Sequence, residues 1–455
     1  MSALAAGIRL AHYGQKVCLL ERHYAAGGLN SYYRRGGYDL DVGLHAMTNF
    51  VPPETKQLTP FLKILRQLRV KYEDFGLFPQ AGSQINFKGA ALNFTNDFEY
   101  FRTEVHGAFP AEKDNFDKLL SHIQNYNELD LNAKPLSARE IVSGFIKDPL
   151  LVEMLFCPLS YYGSAIENDM EFGQFVIMFK SILLEGFSRP YEGVRRIISL
   201  LERRLAESGG ELRLKTGVRS INVKNGRAVS VTLDSGEELS AAKILSSMGL
   251  PETLDICSDR VESEKCSKAS RPGKLSFTEV ILLLDKPPAD LGHKHTIIFY
   301  NDSEKFNYRM PHEIVDYSSG VLCCPNNFKY EKPLSDNMLR VTNMANHDIW
   351  ESLERDEYRK AKDDVLIKTI DTVKKYIPDF EEDMIKFYDI FTPKTVKRFT
   401  GHINGAVYGA ENKSKNGTTH IENLFICGTD QGFLGIIGAI LSGISIANLH
   451  FLMKN

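Results

Sequence analysis

The sequence has no Cys-x-x-Cys pair, no densely basic run and almost no imbalance of charge. Its seven cysteines, at 18, 157, 257, 266, 323, 324 and 427, are odd in number and scattered, which excludes a disulfide scaffold and the usual zinc spacings. They read as reduced thiols of a cytoplasmic protein, with the adjacent Cys323 and Cys324 as two small hydrophobes, and no metal site is expected. With 55 basic against 58 acidic side chains the formal charge is -3, so no field draws a phosphate backbone and nucleic acid is not expected as a partner. The 455 residues are 43% hydrophobic and 25% charged, a globular composition that excludes disorder and collagen. At roughly 100–200 residues per domain, that length allows two or three domains with their own cores.

A basic lead-in at the N-terminus is also absent. Ser2 to Ala11 is an alanine-rich helical pattern, and Arg9, His12 and Lys16 interrupt it, so it is not a secretory signal. Gly14 supplies a left-handed helix end, after which Gln15 to Leu20 reads as a short buried strand ending in the acid Glu21. Helix, glycine turn, strand and terminal acid form the second half of a βαβ dinucleotide-binding unit. In that register Met1, Ser2 and Ala3 hold the last three positions of G-x-G-x-x-G/A, and the first strand and first two glycines are not in the sequence. About ten residues are therefore expected to be missing, by truncation or a misassigned start, which would leave unpaired strand edges and an unclosed pyrophosphate site. Ser2 and Ala3 are candidate phosphate contacts. Glu21, eighteen residues after Ala3, is the candidate for a ribose 2′-hydroxyl, a pattern that favours FAD or NAD over NADP.

Six residues after that acid come Gly27-Gly28, then Leu29, Asn30 and Ser31. Paired glycines let main chain pass close to a phosphate or an aromatic ring. Here the sequence resembles the amine oxidase and phytoene desaturase superfamily of FAD proteins, in which E-x5-G-G-R-x-x-S/T follows the dinucleotide fingerprint. Leu29 stands where that pattern carries arginine, so Arg22 and Asn30 are the expected polar contacts. The stretch Gly37-Tyr-Asp-Leu-Asp-Val-Gly43-Leu-His45 resembles the family strand and turn that approach the flavin, which puts Gly43 at the cofactor and makes His45 a candidate catalytic residue.

At the other end, Asn423 to Cys427 is an apolar strand that runs into Gly428-Thr429-Asp430. From Gln431 to Met453 there is no Asp, Glu, Lys or Arg, yet glycines at 432, 435, 438 and 443 argue against a membrane span and for backbone approached by a ligand. This resembles the family's terminal flavin motif. The resemblance implies that Gly428 and Asp430 face the cofactor chain and that the amides of Ile436 and Ile437, at a buried helix N-terminus, face the flavin C2 carbonyl, where a helix dipole stabilises negative charge.

Between these ends, apolar residues at 194, 197, 198, 201 and 205 predict a helix closed by Ser208-Gly209-Gly210, and short strands are predicted at 211–215, 218–224, 228–233 and 243–246. This resembles the family's second FAD segment, in which the Val218 main chain would hold adenine. The fold class implied is α/β, a Rossmann-like FAD-binding domain assembled from 1–75, 187–250 and 395–455, with an inserted α+β substrate domain from 76–186 and 251–394. In the insertions, strands are predicted near 84–87, 91–94, 278–284, 296–300 and 339–344. A helical region starts about Glu112, an apolar run covers 172–187, and a charged helix is expected around Glu351 to Asp364.

Leu58, Phe61, Leu62, Leu65 and Leu68 share a helical face ringed by Lys63, Arg66, Arg69 and Lys71. That face either packs on the core or lies on an anionic membrane. Residues 397–409 resemble the segment that precedes the last FAD motif in phytoene desaturases, carotenoid isomerases and retinol saturases, which makes His402 and Tyr408 further candidates for orienting substrate or carrying a proton. The resemblance implies an FAD-dependent oxidoreductase that desaturates or isomerises a long apolar polyene or isoprenoid, so the expected partner is an apolar small molecule, with possible peripheral membrane contact. Alternatives are a retinol-saturase-like reductase, an amine oxidase-like flavoprotein, and a structural or partner-binding protein that has lost FAD.

Overall fold

The computed structural model describes residues 1–130, 133–258, 271–303 and 305–453, so the expectation for Cys266 lies outside the described residues. Ser2–His12 forms α1, which buries Leu4, Ala5, Ile8 and Ala11. Gly7 lets it press against the following strand, because a Cβ there would stand 2.6 Å from Leu19 Cδ1. The chain reverses through Gly14, at φ +73°, into β1 (Cys18–Leu20). β1 pairs in parallel with β8 (Glu211–Arg213), and β12 (Ile244–Ser246) pairs in parallel with β18 (Leu424–Ile426). These are two separate two-stranded sheets. Glu211 N–H donates to Val17 O at 3.0 Å and Glu21 N–H to Arg213 O at 2.9 Å. Alternation along the strand therefore turns the main-chain groups of Cys18 and Leu20 away from β8, toward the space between the two pairs.

Several helices close over these strands. They are α2 (Pro60–Leu68), α8 (Val194–Glu207) and α13 (Gly435–Ile446), whose apolar residues form one core with α1. Thr59 caps α2 by accepting Leu62 N–H at 3.3 Å, and the apolar side of α2, Phe61, Ile64, Leu65 and Leu68, lies in that core. The face expected to choose between core and membrane is thus turned inward. Leu58 precedes the helix and is exposed. The segment Gly435–Leu452 is long and apolar enough to cross a membrane by length and composition, yet α13 packs along α1 so closely that a Cβ on Gly443 would sit 2.0 Å from Ser2 O. Beside this core β9 (Val218–Lys224), β10 (Arg227–Leu233) and β11 (Glu238–Ser240) make an antiparallel meander, followed by α9 (Leu250–Asp255).

The rest of the chain builds around a seven-stranded sheet, ordered β17-β13-β16-β15-β14-β5-β6. Its strands are β5 (Ser83–Phe87), β6 (Ala90–Phe94), β13 (Ser276–Leu284), β14 (Ile297–Asn301), β15 (Ser319–Cys323), β16 (Asn337–Ala345) and β17 (Ile385–Phe391). Every residue of β13, β14 and β15 is buried, because both faces of the sheet are covered. Alternate residues split accordingly: Phe277, Phe299 and Val321 enter an aromatic core, while Val280, Ile298 and Leu322 enter a second core on the opposite face. The aromatic core is filled by α3 (Phe98–Ala108), α4 (Lys113–Asn125), α5 (Ala138–Phe145), α6 (Pro149–Gly163) and α7 (Phe172–Phe179). The other face carries α10 (His347–Ser352) and α11 (Arg355–Tyr376). The charged stretch expected as one helix around 351–364 is therefore two. A capping box between Glu354 and Glu357 starts the second, with Glu357 accepting Glu354 N–H at 3.0 Å.

Two hairpin-like pairs join the halves. β2 (Tyr32–Arg35) pairs with β3 (Tyr38–Asp41), and β4 (Leu77–Pro79) with β7 (Ser188–Pro190). α12 (Pro393–Thr400) returns the chain from the large sheet and ends in a left-handed glycine, Gly401.

Candidate functional site

A cleft of about 1860 Å³ runs between the two parallel strand pairs, bordered by Cys18 to Leu20 on one side and Ile244 to Ser246 on the other. The N-terminus of α1 opens onto it through Met1, Ser2 and Ala3, and no side chain caps that helix. Uncapped amides at a helix start favour an anion. Glu21 stands at the carboxyl end of β1, on the cleft wall, and its Oε1 accepts His23 N–H at 2.9 Å. Past it the chain passes Gly27 and Gly28 at φ +117° and +60°. A Cβ on Gly27 would meet Asn30 O at 2.7 Å, while Gly28 faces open space. Gly43 is held by the same turn, since a Cβ there would lie 2.5 Å from Leu29 O. The adenosine-binding expectation for Val218 falls on this wall too, where β9 begins.

Other expected residues sit differently. Arg22 borders the cleft, but its guanidinium donates to Arg398 O at 3.2 Å and packs on Gly401. Leu29 and Asn30 line the cleft. Gly428 lies at its edge, where a Cβ would stand 3.0 Å from Ser2 Oγ. Asp430 does not present its carboxylate to the cleft: it is 1% exposed and accepts Leu250 N–H at 2.6 Å and Ala410 N–H at 2.8 Å, with Lys413 Nζ 3.5 Å away. It fastens three segments around the end of β18. Ile436 and Ile437 occupy the first turn of α13, which no side chain caps, and their side chains fill the core shared with α1.

The three candidate reactive side chains part company. His402 faces the cleft, with Nδ1 3.4 Å from Glu252 Oε1, which also accepts Ile403 N–H at 2.9 Å. Burial opposes charge on Glu252, but His402 and that amide hold its carboxyl below the usual range. Tyr408 lies in the aromatic core, edge-on to Phe277 at 6.0 Å, and its hydroxyl donates to Tyr161 O. Burial raises its pKa. It is packed away from the cleft; of residues 397–409, Arg398 to Ile403 border it.

His45 ends a loop held by two buried arginines. Arg340, fully buried on β16, donates to Val42 O at 2.6 Å and Leu44 O at 2.9 Å, and its Nε donates to Glu279 Oε1 at 2.5 Å. Arg189, on β7, donates to Leu44 O at 2.6 Å and to Asp41 Oδ2 at 2.6 Å. Each guanidinium thus has a carboxylate and a main-chain carbonyl, which is what a buried charge requires. Glu279 also meets His45 Nε2 at 3.0 Å. Burial would raise its pKa, but Arg340 and His45 outweigh burial and bring it down to about 2. Glu252, Glu279, Arg340 and Arg189 were not legible as site residues, because their partners lie 60 to 300 positions away. One signal was available: Arg340 sits between Leu339 and Val341 in a predicted strand, and an arginine enclosed there needs a buried counter-charge.

The sequence matches the family described as flavin containing amine oxidoreductase over residues 1–449. Among curated proteins it is similar to a chloroplastic prolycopene isomerase of Daucus carota, 24% identical, covering 98% of this chain and 78% of that protein. It is also similar to a 4,4′-diaponeurosporene oxygenase of Staphylococcus haemolyticus, 24% identical over 94% of this chain and 90% of the other. Among solved structures an oxidoreductase from Methanosarcina mazei superposes with a TM-score of 0.68 at 14% identity, covering 98% of both chains.

Proposed function

The chain belongs to the flavin containing amine oxidoreductase family and is an FAD-dependent oxidoreductase, and from that premise we propose that it desaturates or isomerises a long apolar polyene of the carotenoid type. The observation that carries this reading is its likeness, over nearly its whole length, to proteins named for prolycopene and diaponeurosporene. The core that α1 and α13 share, here the cofactor-side core, meets the aromatic core at the loop of Leu44 to Ala46.

The cleft fits FAD: its walls offer an uncapped helix start, an acid at a strand end and two glycines at positive φ, one with open space beside it. In this reading the amides of Ser2 and Ala3 hold phosphate, Glu21 accepts from a ribose hydroxyl, and the Val218 main chain holds adenine. Gly27 and Gly28 keep the wall thin and Gly43 backs their turn, with Asn30 and Gly428 as further contacts and the uncapped α13 amides at Ile436 and Ile437 as a seat for negative charge. When bound, FAD supplies a two-electron acceptor for hydride from a C–H bond. The chain itself binds the substrate by apolar contact, excludes water and orients the reacting carbons.

The test is reconstitution with FAD followed by anaerobic bleaching of the flavin absorbance with phytoene, lycopene isomers or amines. Stoichiometric flavin bleached by a polyene supports the proposal. Retained flavin that amines bleach and polyenes do not would sink the substrate class, and absence of bound flavin would sink the cofactor assignment to this cleft.

A further inference from the structure

We propose that Glu279 fixes His45 in its Nε2–H tautomer, so that Nδ1 serves as a proton acceptor at the seam between the cofactor-side core and the aromatic core. The inference rests on the oxidoreductase reading and goes beyond it by naming where a substrate proton goes.

The hydrogen-bond chemistry assigns the tautomer. Glu279 Oε1 lies 3.0 Å from His45 Nε2 and 2.5 Å from Arg340 Nε. A carboxylate that ionises at about 2 can only accept, so the ring hydrogen sits on Nε2 and the lone pair on Nδ1. Thr342 Oγ1, 3.2 Å from the same Nε2, has lone pairs that can accept from it as well. Charge fixes the protonation state. Arg340 with Glu279 and Arg189 with Asp41 are two neutral pairs, so a proton on the ring would add an uncompensated charge in a buried place. Burial lowers the His45 pKa, Arg340 and Arg189 push the same way, and Glu279 opposes them. The groups facing His45 from its neighbours are Glu279 on β13, Arg340 and Thr342 on β16, Arg189 on β7, and Cys323 on β15, whose Sγ lies 3.9 Å from His45 O.

Position gives the group something to do. Leu44 belongs to the core that α1 and α13 share, and Ala46 belongs to the aromatic core, so His45 stands between them. Arg340 and Arg189 hold the carbonyls on its N-terminal side, which fixes the loop as well as the ring. In a desaturation one proton leaves a substrate carbon for Nδ1. The electron pair left behind would become the second bond of a new carbon–carbon double bond as the neighbouring carbon loses its hydride, for which bound FAD would be the acceptor, and the lowered basicity of the ring favours prompt release of the proton. Glu279 and Arg340 act through His45 and are positioning residues.

The first measurement needs no cofactor. Imidazole nitrogen NMR of flavin-free protein labelled with ¹⁵N-histidine, with His45→Gln identifying the signal, is expected to show a neutral Nε2–H ring near neutral pH. An Nδ1–H ring or an imidazolium there overturns the proposal. Glu279→Gln is expected to mix the tautomers and move the titration to lower pH; an unchanged ring in a folded variant removes Glu279 from the role. Should that variant fail to fold, the unmodified protein's tautomer and titration still decide the point. In the flavin-loaded enzyme, bleaching by a polyene is expected to slow as pH falls through the His45 titration. His45→Gln is expected to abolish that dependence and slow bleaching by roughly 10²–10⁴-fold; an unchanged rate and profile would refute the role. If flavin binds and no polyene bleaches it, the substrate reading fails while the tautomer result stands separately.

Discussion

The strand pairs that flank the cleft and the seven-stranded sheet solve opposite problems with the same element. Around the cleft, short strands of three residues meet in two separate pairs and leave main-chain groups facing open space. In the large sheet, strands of up to nine residues are buried on both faces, and even an arginine is enclosed. The difference teaches where each kind of substitution should register: in ligand affinity at the cleft, and in folding free energy at the sheet. Main chain open to a cleft is available to a ligand, whereas a charge inside a packed sheet is committed to its partners.

Arg340→Ala tests the sheet side hardest. It leaves Glu279 buried without its cation and strips the donors from Val42 and Leu44, so a loss of about 3–5 kcal/mol is expected in urea or thermal unfolding. A loss under about 1 kcal/mol would mean that the network is not closed to water. Gly27→Ala probes the boundary: at φ +117° with Asn30 O only 2.7 Å from the added carbon, it should cost roughly 1–3 kcal/mol and weaken flavin binding as well. Losing only one of these would separate the turn's structural role from its ligand role.

Acid should unfold the sheet side first. Glu279 is held at about 2 against an ordinary 4.5, so its stabilisation is complete above pH 4.5 and lost as pH falls toward 2. His293, which bonds Tyr376 O beside the same sheet, is pushed by burial to about 4 from 6.5. It is folded in neutral form, so stability declines as pH falls from 6.5 to 4. Tryptophan fluorescence reports this half specifically, because Trp350 is buried in the core on the outer face of the sheet. The smallest effect on stability is expected from Glu21→Gln. It should leave the unfolding midpoint nearly unchanged while weakening FAD binding by about tenfold, the order of one charged hydrogen bond, measured by flavin titration. A large drop in stability would mean that Glu21 is structural.

Much of the architecture was legible in local pattern. The helix at 194–207 follows directly from its apolar spacing, and the reversal at Gly14 follows from residue type and position. Asp430 was harder, because an acid after a strand and a glycine looks the same whether it faces a ligand or ties Leu250 and Ala410 in place. Tyr408 and His402, six residues apart, end in different surroundings since the chain turns between them at Asn404 and Gly405, both at positive φ.

The sequence by itself determined the periodicity of the helices and strands, the glycine turns, and the family, because each depends on neighbouring residues or on motifs of fixed spacing. Tertiary structure alone decided that the apolar face of α2 packs inward and that His45, Glu279, Arg340 and Arg189 meet. Those residues come from three strands and a loop far apart in the chain, and no local preference pulls a charge inward. Only the closing of the fold, which takes water from each of them, makes the others the remaining partners.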